Sequence, residues 1–292
     1  MMFQGCTVAM ITPFTHGKLD IEGIKKNVDF YIEKGLDGIL IAGTTGEGPS
    51  ITDNEYRQLA DAVISQAGGK VKIMLNTGTN STAKTIENVK FANTLEIDAI
   101  LVITPYYNKP NLTGMRNHYL EISEHTELPI YIYNVPGRTG SNIDVKLVSE
   151  LHQANPQITG IKEASGNLNR ISELKLLCGP DFEILSGEDS LTLPSMCLGA
   201  QGVISVTANV VPDLVAAMTA NALKGKWEEA KRIHYQIFNL TTALFSETNP
   251  VPVKTAMKLM KLGAGELRTP LGEMQPRNFE ILKKELDHLK LI

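Results

Sequence analysis

Residues 99–134 read AILVITPYYNKPNLTGMRNHYLEISEHTELPIYIYN. Two short runs rich in Val, Ile and Leu or aromatic residues, Ala99–Thr104 and Pro129–Asn134, flank an amphipathic stretch over 113–126. The first run is apolar without alternation, the pattern of a strand buried on both faces of a parallel sheet. The segment therefore reads as strand, helix, strand, and the same unit recurs on either side of it. Further strand candidates are Thr7–Ile11, Gly38–Ala42, Val71–Leu75, Ile158–Lys162, Phe182–Leu185 and Gly202–Val206. Amphipathic stretches at 20–34, 53–67, 81–94, 144–153, 167–177, 189–198 and 212–222 complete the alternation.

Local signals agree with these boundaries. Thr52 and Glu55 have the spacing of a capping box, and Asp20 and Asp144 stand where helix N-caps belong. Gly35 follows the first helix and Gly179-Pro180 the sixth. Eight strand–helix units in series point to a parallel sheet, open or closed. Eight units in about 222 residues is the size of a (β/α)8 TIM barrel. The remainder holds no strand candidate and reads as three helices near 226–246, 252–262 and 276–289. The expectation is an α/β chain with a (β/α)8 barrel over 1–222 and a C-terminal helical extension over 223–292, packed on the barrel as one folded unit.

Composition excludes several classes. The chain has 292 residues, of which 42% are hydrophobic and 21% charged, so it is neither disordered nor fibrous. A formal charge of -4 with no basic block gives no footprint for a nucleic-acid partner or an anionic membrane. No apolar run approaches the ~18 residues of a membrane helix, and the N-terminus does not read as a signal peptide. Three scattered cysteines, Cys6, Cys178 and Cys197, suit a reducing compartment rather than a disulfide framework, so the expected location is cytoplasmic. Gly43-Thr44-Thr45-Gly46-Glu47-Gly48 has the wrong spacing for a dinucleotide fingerprint, and no Walker loop, nucleophile elbow or histidine metal pair occurs. The chemistry is expected to need neither cofactor nor metal.

In a barrel the reaction site forms where strands end and βα loops begin. Lys162 closes the apolar strand 158–162, unlike most lysines of the chain, which fall on helices or turns. Desolvation disfavours an ammonium charge, and a neutral amine attacks a carbonyl carbon. Lys162 is thus either a nucleophile or a structural lysine paired with Glu163 or Glu188. Tyr133 ends the neighbouring strand, as a proton donor and acceptor or as a packed aromatic. Thr44 and Thr45 occupy a Gly-flanked turn whose amides and hydroxyls suit a carboxylate, or which is simply a tight βα turn. Arg138 lies in a Gly/Pro-bounded loop, as a carboxylate fork or a surface arginine.

Taken together, the strings are specific. Gly43-Thr44-Thr45-Gly46-Glu47, Ile103-Thr104-Pro105-Tyr106-Tyr107-Asn108, Tyr133-Asn134-Val135-Pro136-Gly137-Arg138-Thr139-Gly140 and Ile161-Lys162-Glu163-Ala164-Ser165-Gly166 follow one another at barrel spacing. Gly202–Asn209 and Asn249-Pro250-Val251-Pro252-Val253-Lys254 extend the match over essentially the whole chain. The chain resembles the dihydrodipicolinate (4-hydroxy-tetrahydrodipicolinate) synthase family, within the pyruvate-dependent class I aldolase/lyase superfamily that includes N-acetylneuraminate lyase. The resemblance implies a Schiff base between Lys162 and pyruvate, whose enamine attacks L-aspartate 4-semialdehyde in the first committed step of diaminopimelate and lysine biosynthesis. It implies that Tyr133 moves the protons, linked by Thr44 to Tyr107 of an adjacent subunit, so that the working form is a homodimer or homotetramer. It assigns pyruvate binding to Thr45 and Ile204, the semialdehyde carboxylate to Arg138, and a backbone contact in the same pocket to Gly187.

Departures from the family pattern carry information. Leu75-Asn76-Thr77-Gly78 stands where the family usually has Ala-Gly-Thr-Gly. In the lysine feedback site of some members, a glutamate corresponds to Lys84 and two histidines to Asp53 and Tyr56, while Asn80 and Tyr106 are kept. A cation at position 84 would repel a cationic inhibitor, so weak or absent lysine inhibition is expected. The alternative reading is a sister aldolase acting on N-acetylneuraminate or a 2-keto-3-deoxy sugar acid. Arg138 favours the small carboxylate-bearing aldehyde.

Overall fold

The continuous apolar runs become strands because only a parallel sheet covered on both faces hides them completely. In the computed structural model, which describes residues 2–263 and 265–292, these strands are β1 (Gly5–Ala9), β2 (Gly38–Ile41), β3 (Lys72–Asn76) and β4 (Ala99–Ile103). They continue as β5 (Ile130–Asn134), β6 (Ile158–Glu163), β7 (Glu183–Ser186) and β8 (Gly202–Ser205). Every residue of β1, β2, β5 and β8 is buried. The strands pair in chain order and the last closes on the first. The fold is the expected (β/α)8 barrel.

The helices are α1 (Ile21–Glu33), α2 (Asp53–Ala67), α3 (Thr82–Ala92), α4 (Leu112–Ser123), α5 (Val145–Ala154), α6 (Asn169–Cys178), α7 (Thr192–Cys197) and α8 (Pro212–Leu223). Three more follow as the C-terminal extension: α9 (Trp227–Leu244), α10 (Val251–Leu259) and α11 (Pro276–His288). Caps fall where the sequence places them. The Asp20 carboxylate accepts from the Gly23 amide at 2.9 Å and Asp144 from the Lys146 amide at 2.7 Å. Thr52 and Glu55 complete a reciprocal capping box on α2. Among the described residues no helix is long and apolar enough to cross a membrane.

Some features depart from the sequence reading. The stretch 189–198 divides into a 3-10 turn, Asp189–Leu191, and the short helix α7. Pro194 has no amide to donate and is accommodated in the first turn of that helix. A two-residue hairpin pairs Phe14–Thr15 with Lys18–Leu19. Its turn puts both His16 and Gly17 at positive φ, the geometry that matches the twist of paired strands. Strands of two residues have no periodicity to read.

The chain divides into two compact units. One comprises the N-terminal residues up to Gln4 with Ile73–Ile204, and the other Gly5–Lys72 with Ser205–Ile292. In the second unit, the C-terminal extension is tied to the hairpin and to the turn after β2 by buried charge. Lys254 of α10 is fully buried, and its Nζ donates to Glu47 at 2.5 Å and to the Thr12 carbonyl at 2.9 Å. Arg268 donates through its backbone amide to Glu47 at 3.0 Å and through Nη1 to Glu55 at 2.8 Å. Both cations stack on the Phe14 ring, Lys254 at 4.5 Å and Arg268 at 4.0 Å. Burial pushes the Lys254 ammonium downward, opposed by the Glu47 carboxylate.

Hydrogen bonds from Arg268 hold the Glu55 carboxyl down at about 2, below its ordinary 4.5. A depressed carboxylate stabilises the fold fully above its unfolded value and stops doing so as the pH falls through its folded value. Arg268→Gln should therefore lower the unfolding midpoint near neutral pH, with the deficit narrowing as the pH drops from 4.5 toward 2. Denaturant melts of both proteins at several pH values read this out. A deficit as large in acid as at neutrality would refute a role for the Glu55 charge.

Candidate active site

Lys162 and Tyr133 are brought side by side by the register of two parallel strands. Tyr133 of β5 pairs with Lys162 of β6, and on its other side with Ile103 of β4. Both residues are about 5% exposed, and the Lys162 Nζ lies 4.3 Å from the centroid of the Tyr133 ring. A buried lysine ordinarily takes an acidic partner. Among the described residues neither Glu163 nor Glu188 forms an ion pair with it. Strand alternation turns Glu163 to the opposite face, where Asn134 and Arg170 hold it. Glu188 accepts from Ser190 at 3.3 Å, while burial and then the Asp189 carboxylate push its own carboxyl upward. Lys162 is thus paired with neither of the two glutamates nearest to it in the sequence reading.

Gly187 gives Lys162 its room. Its amide donates to the Glu163 carbonyl at 2.8 Å, which carries the chain directly past the lysine. A Cβ there would stand 2.6 Å from the Ala164 Cβ and 3.0 Å from the Lys162 Cε. After β5 the chain makes one helical turn, Pro136–Thr139, with proline at its first position and Gly140 at positive φ closing it. Arg138 stands exposed on this turn. Thr139 Oγ1 donates to the Ser141 carbonyl at 2.8 Å and Ser141 Oγ to the Pro105 carbonyl at 2.9 Å, so the turn is fastened to the loop after β4. On that loop Tyr107 adopts φ +70° and is 89% exposed. A bulky side chain held in the left-handed region and offered to solvent is the kind of strain that accompanies functional loops. Ile204 is buried in β8.

The turn after β2 belongs to the second unit and is built as tightly. Ala42 and Glu47 both adopt positive φ, and a Cβ on Gly48 would stand 2.3 Å from the Ala42 carbonyl oxygen. Thr12 Oγ1 donates to the Gly46 carbonyl at 2.6 Å. Thr45 is buried and accepts from Asn249 Nδ2 at 3.0 Å, while Thr44 is half-buried. Lys162, Tyr133 and Gly187 thus converge at neighbouring strand ends, whereas Arg138 and Tyr107 ride on surface loops and Thr44 and Thr45 on a separate braced turn. Sequence reading missed the bracing groups Glu163, Asn134, Arg170 and Asn249. Asn134, Glu163 and Asn249 stood inside recognised strings without being given these roles, and nothing near Arg170 marks it as a partner of Glu163. Among the described residues no group of three His, Cys, Asp or Glu side chains is placed to hold a metal ion.

A family model described as the dihydrodipicolinate synthetase family matches residues 2–289. The chain belongs to that family. It is 46% identical over 292 residues to the 4-hydroxy-tetrahydrodipicolinate synthase of Sulfurihydrogenibium sp., covering 100% of both chains. It is 44% identical over 289 residues to the enzyme of that name from Methanococcus vannielii, covering 99% of each. Among solved structures, the dihydrodipicolinate synthase of Thermotoga maritima superposes with a TM-score of 0.98 at 38% identity, covering 100% of both chains.

Gly187→Ala tests the crowding around the lysine. The added methyl forces either Ala164 or the Lys162 side chain to move, at a stability cost of about 1–3 kcal/mol. Displacing a reacting group by about 1 Å costs on the order of 100-fold in rate. The expected outcome is a folded protein whose enzymatic rate is slowed by about 10- to 100-fold. Circular dichroism and steady-state rates measured together decide it, and an unimpaired rate would show that Lys162 is not confined at Gly187.

Proposed function

We propose that the chain condenses pyruvate with L-aspartate 4-semialdehyde to 4-hydroxy-tetrahydrodipicolinate through a Schiff base at Lys162. The observation that carries this reading is the buried lysine, unpaired with acid among the described residues and set against Tyr133 in the adjacent strand. The chemistry follows from those two groups. The Lys162 amine adds to the C2 carbonyl of pyruvate, and loss of water gives an imine. Loss of a proton from the pyruvate methyl gives an enamine, whose carbon attacks the aldehyde carbon of the semialdehyde. The semialdehyde's own amine then adds to the imine carbon, and expulsion of the Lys162 amine closes the ring and frees the enzyme. Tyr133 moves the protons these steps need.

The other roles follow the family resemblance. Thr44 and Tyr107 extend the proton relay, Thr45 and Ile204 bind pyruvate, Arg138 takes the semialdehyde carboxylate, and Gly187 lends its backbone. Tyr107, almost fully exposed in the single chain, is assigned to the site of a second copy, so the working form is a homodimer or homotetramer. The cytoplasm suits three cysteines that are free of disulfides.

Incubation with pyruvate, reduction with borohydride and mass mapping should find the adduct on Lys162, and Lys162→Ala should abolish it. Condensation with the semialdehyde should outrun that with sugar aldehydes. An unmodified Lys162, or faster reaction with a sugar aldehyde, would sink the assignment. The Lys84 ammonium, held 3.2 Å from Glu87, keeps a positive charge where the resemblance places an inhibitor-binding glutamate. Lysine should therefore inhibit weakly or not at all, and clear micromolar inhibition in a lysine titration would contradict this.

A further inference from the structure

Directly behind Lys162 and Tyr133 lies a buried polar network that the reaction itself does not use. Glu163 and Asn134 are the next residues along β6 and β5 and are paired in register. Asn134 Nδ2 donates to both Glu163 carboxylate oxygens, at 3.1 and 3.0 Å. Arg170 Nε, on α6, donates to Glu163 Oε2 at 3.1 Å, and the Ser165 amide to Oε1 at 2.8 Å. The side chains of the ion pair are 9% and 3% exposed. The network also reaches the segment that bears Arg138. Arg170 Nη2 donates to the Ile143 carbonyl at 2.9 Å, and the Ile143 amide to Asn134 Oδ1 at 3.2 Å.

We propose that Glu163, Asn134 and Arg170 are positioning residues for the condensation, orienting Lys162 and Tyr133 from the rear and holding the Glu163 carboxylate away from the lysine. This rests on the assignment of Lys162 as the Schiff-base nucleophile. Asn134 and Glu163 form the last paired rung of these two strands, and the Ala164 amide donates to the Asn134 carbonyl at 2.9 Å just beyond it. The side-chain bonds add a second cross-link to that last rung, so the two residues just before it are fixed in mutual orientation. The same bonds satisfy the carboxylate fully on the face opposite Lys162. They also hold the far end of the loop 135–143, so one network sets the lysine, the tyrosine and the base of the arginine's loop.

The double variant Glu163→Gln/Arg170→Met removes both buried charges together, leaving neither stranded, and so separates positioning from stability. Borohydride trapping of pyruvate at saturation is measured on it and on the parent, with circular dichroism as the control for folding. The expected result is a folded protein whose trapping rate and kcat fall by about tenfold or more, while KM for pyruvate changes by less than about threefold. Asn134→Ala, which keeps the ion pair, serves as the second variant and should show the same split. Trapping at the parent's rate in both variants, or a loss no greater than the loss of folded protein, overturns the positioning role alone. A parent that forms no adduct at Lys162 overturns the assignment of the nucleophile and the positioning role with it.

Discussion

The alternation of side chains along two paired strands is the constraint on which the site depends. Successive residues of a strand face opposite ways. One step of β5 and β6 therefore sends Tyr133 and Lys162 to one face and Asn134 and Glu163 to the other. A shift of a single residue in either strand would exchange them. The lysine would then meet Arg170, and the carboxylate would stand beside the tyrosine. Closure of the eight strands leaves no free edge along which such a slip could occur.

Buried charge is handled differently at the two braced places. In the second unit, Lys254, Glu47, Arg268 and Glu55 neutralise one another around Phe14. Losing one partner of a buried pair costs about 3–5 kcal/mol, because the remaining charge is stranded away from water. This ties the turn bearing Thr44 and Thr45 to residues contributed from the far end of the chain. In the first unit the pairing is selective. Glu163 is matched by Arg170, and the lysine beside it in sequence is left to an aromatic ring. The two arrangements use the same residue types differently: Lys254 and Arg268 are paired with carboxylates, whereas Lys162 is set over the Tyr133 ring.

Much of this was legible in the chain. Apolar runs without alternation marked the barrel strands to within about two residues, the usual uncertainty of element ends. Capping residues such as Asp20, Thr52 and Asp144 marked the helix starts because their side chains satisfy amides only a few residues away. Lys162 stood out because a charge at the end of an apolar strand is unusual. The hairpin at Phe14–Leu19 was not legible, since two-residue strands carry no period. Nor was the partner of Glu163, which the sequence leaves open between a lysine one residue away and any distant cation.

By itself, then, the sequence determined the order of strands and helices, the closure expected of eight such units, and the residue types able to form an imine. These rest on short-range physics: hydrophobic periodicity, capping and turn preference act within a few residues. Only the tertiary structure decided which charges meet. It gave Glu163 to Arg170, Glu47 to Lys254 and Glu55 to Arg268, and it set Lys162 over Tyr133. Pairings of this kind depend on strand register and on segments separated by up to 213 positions in the case of Glu55 and Arg268. Coulomb attraction acts through space rather than along the chain, so it has no periodic signature in the sequence.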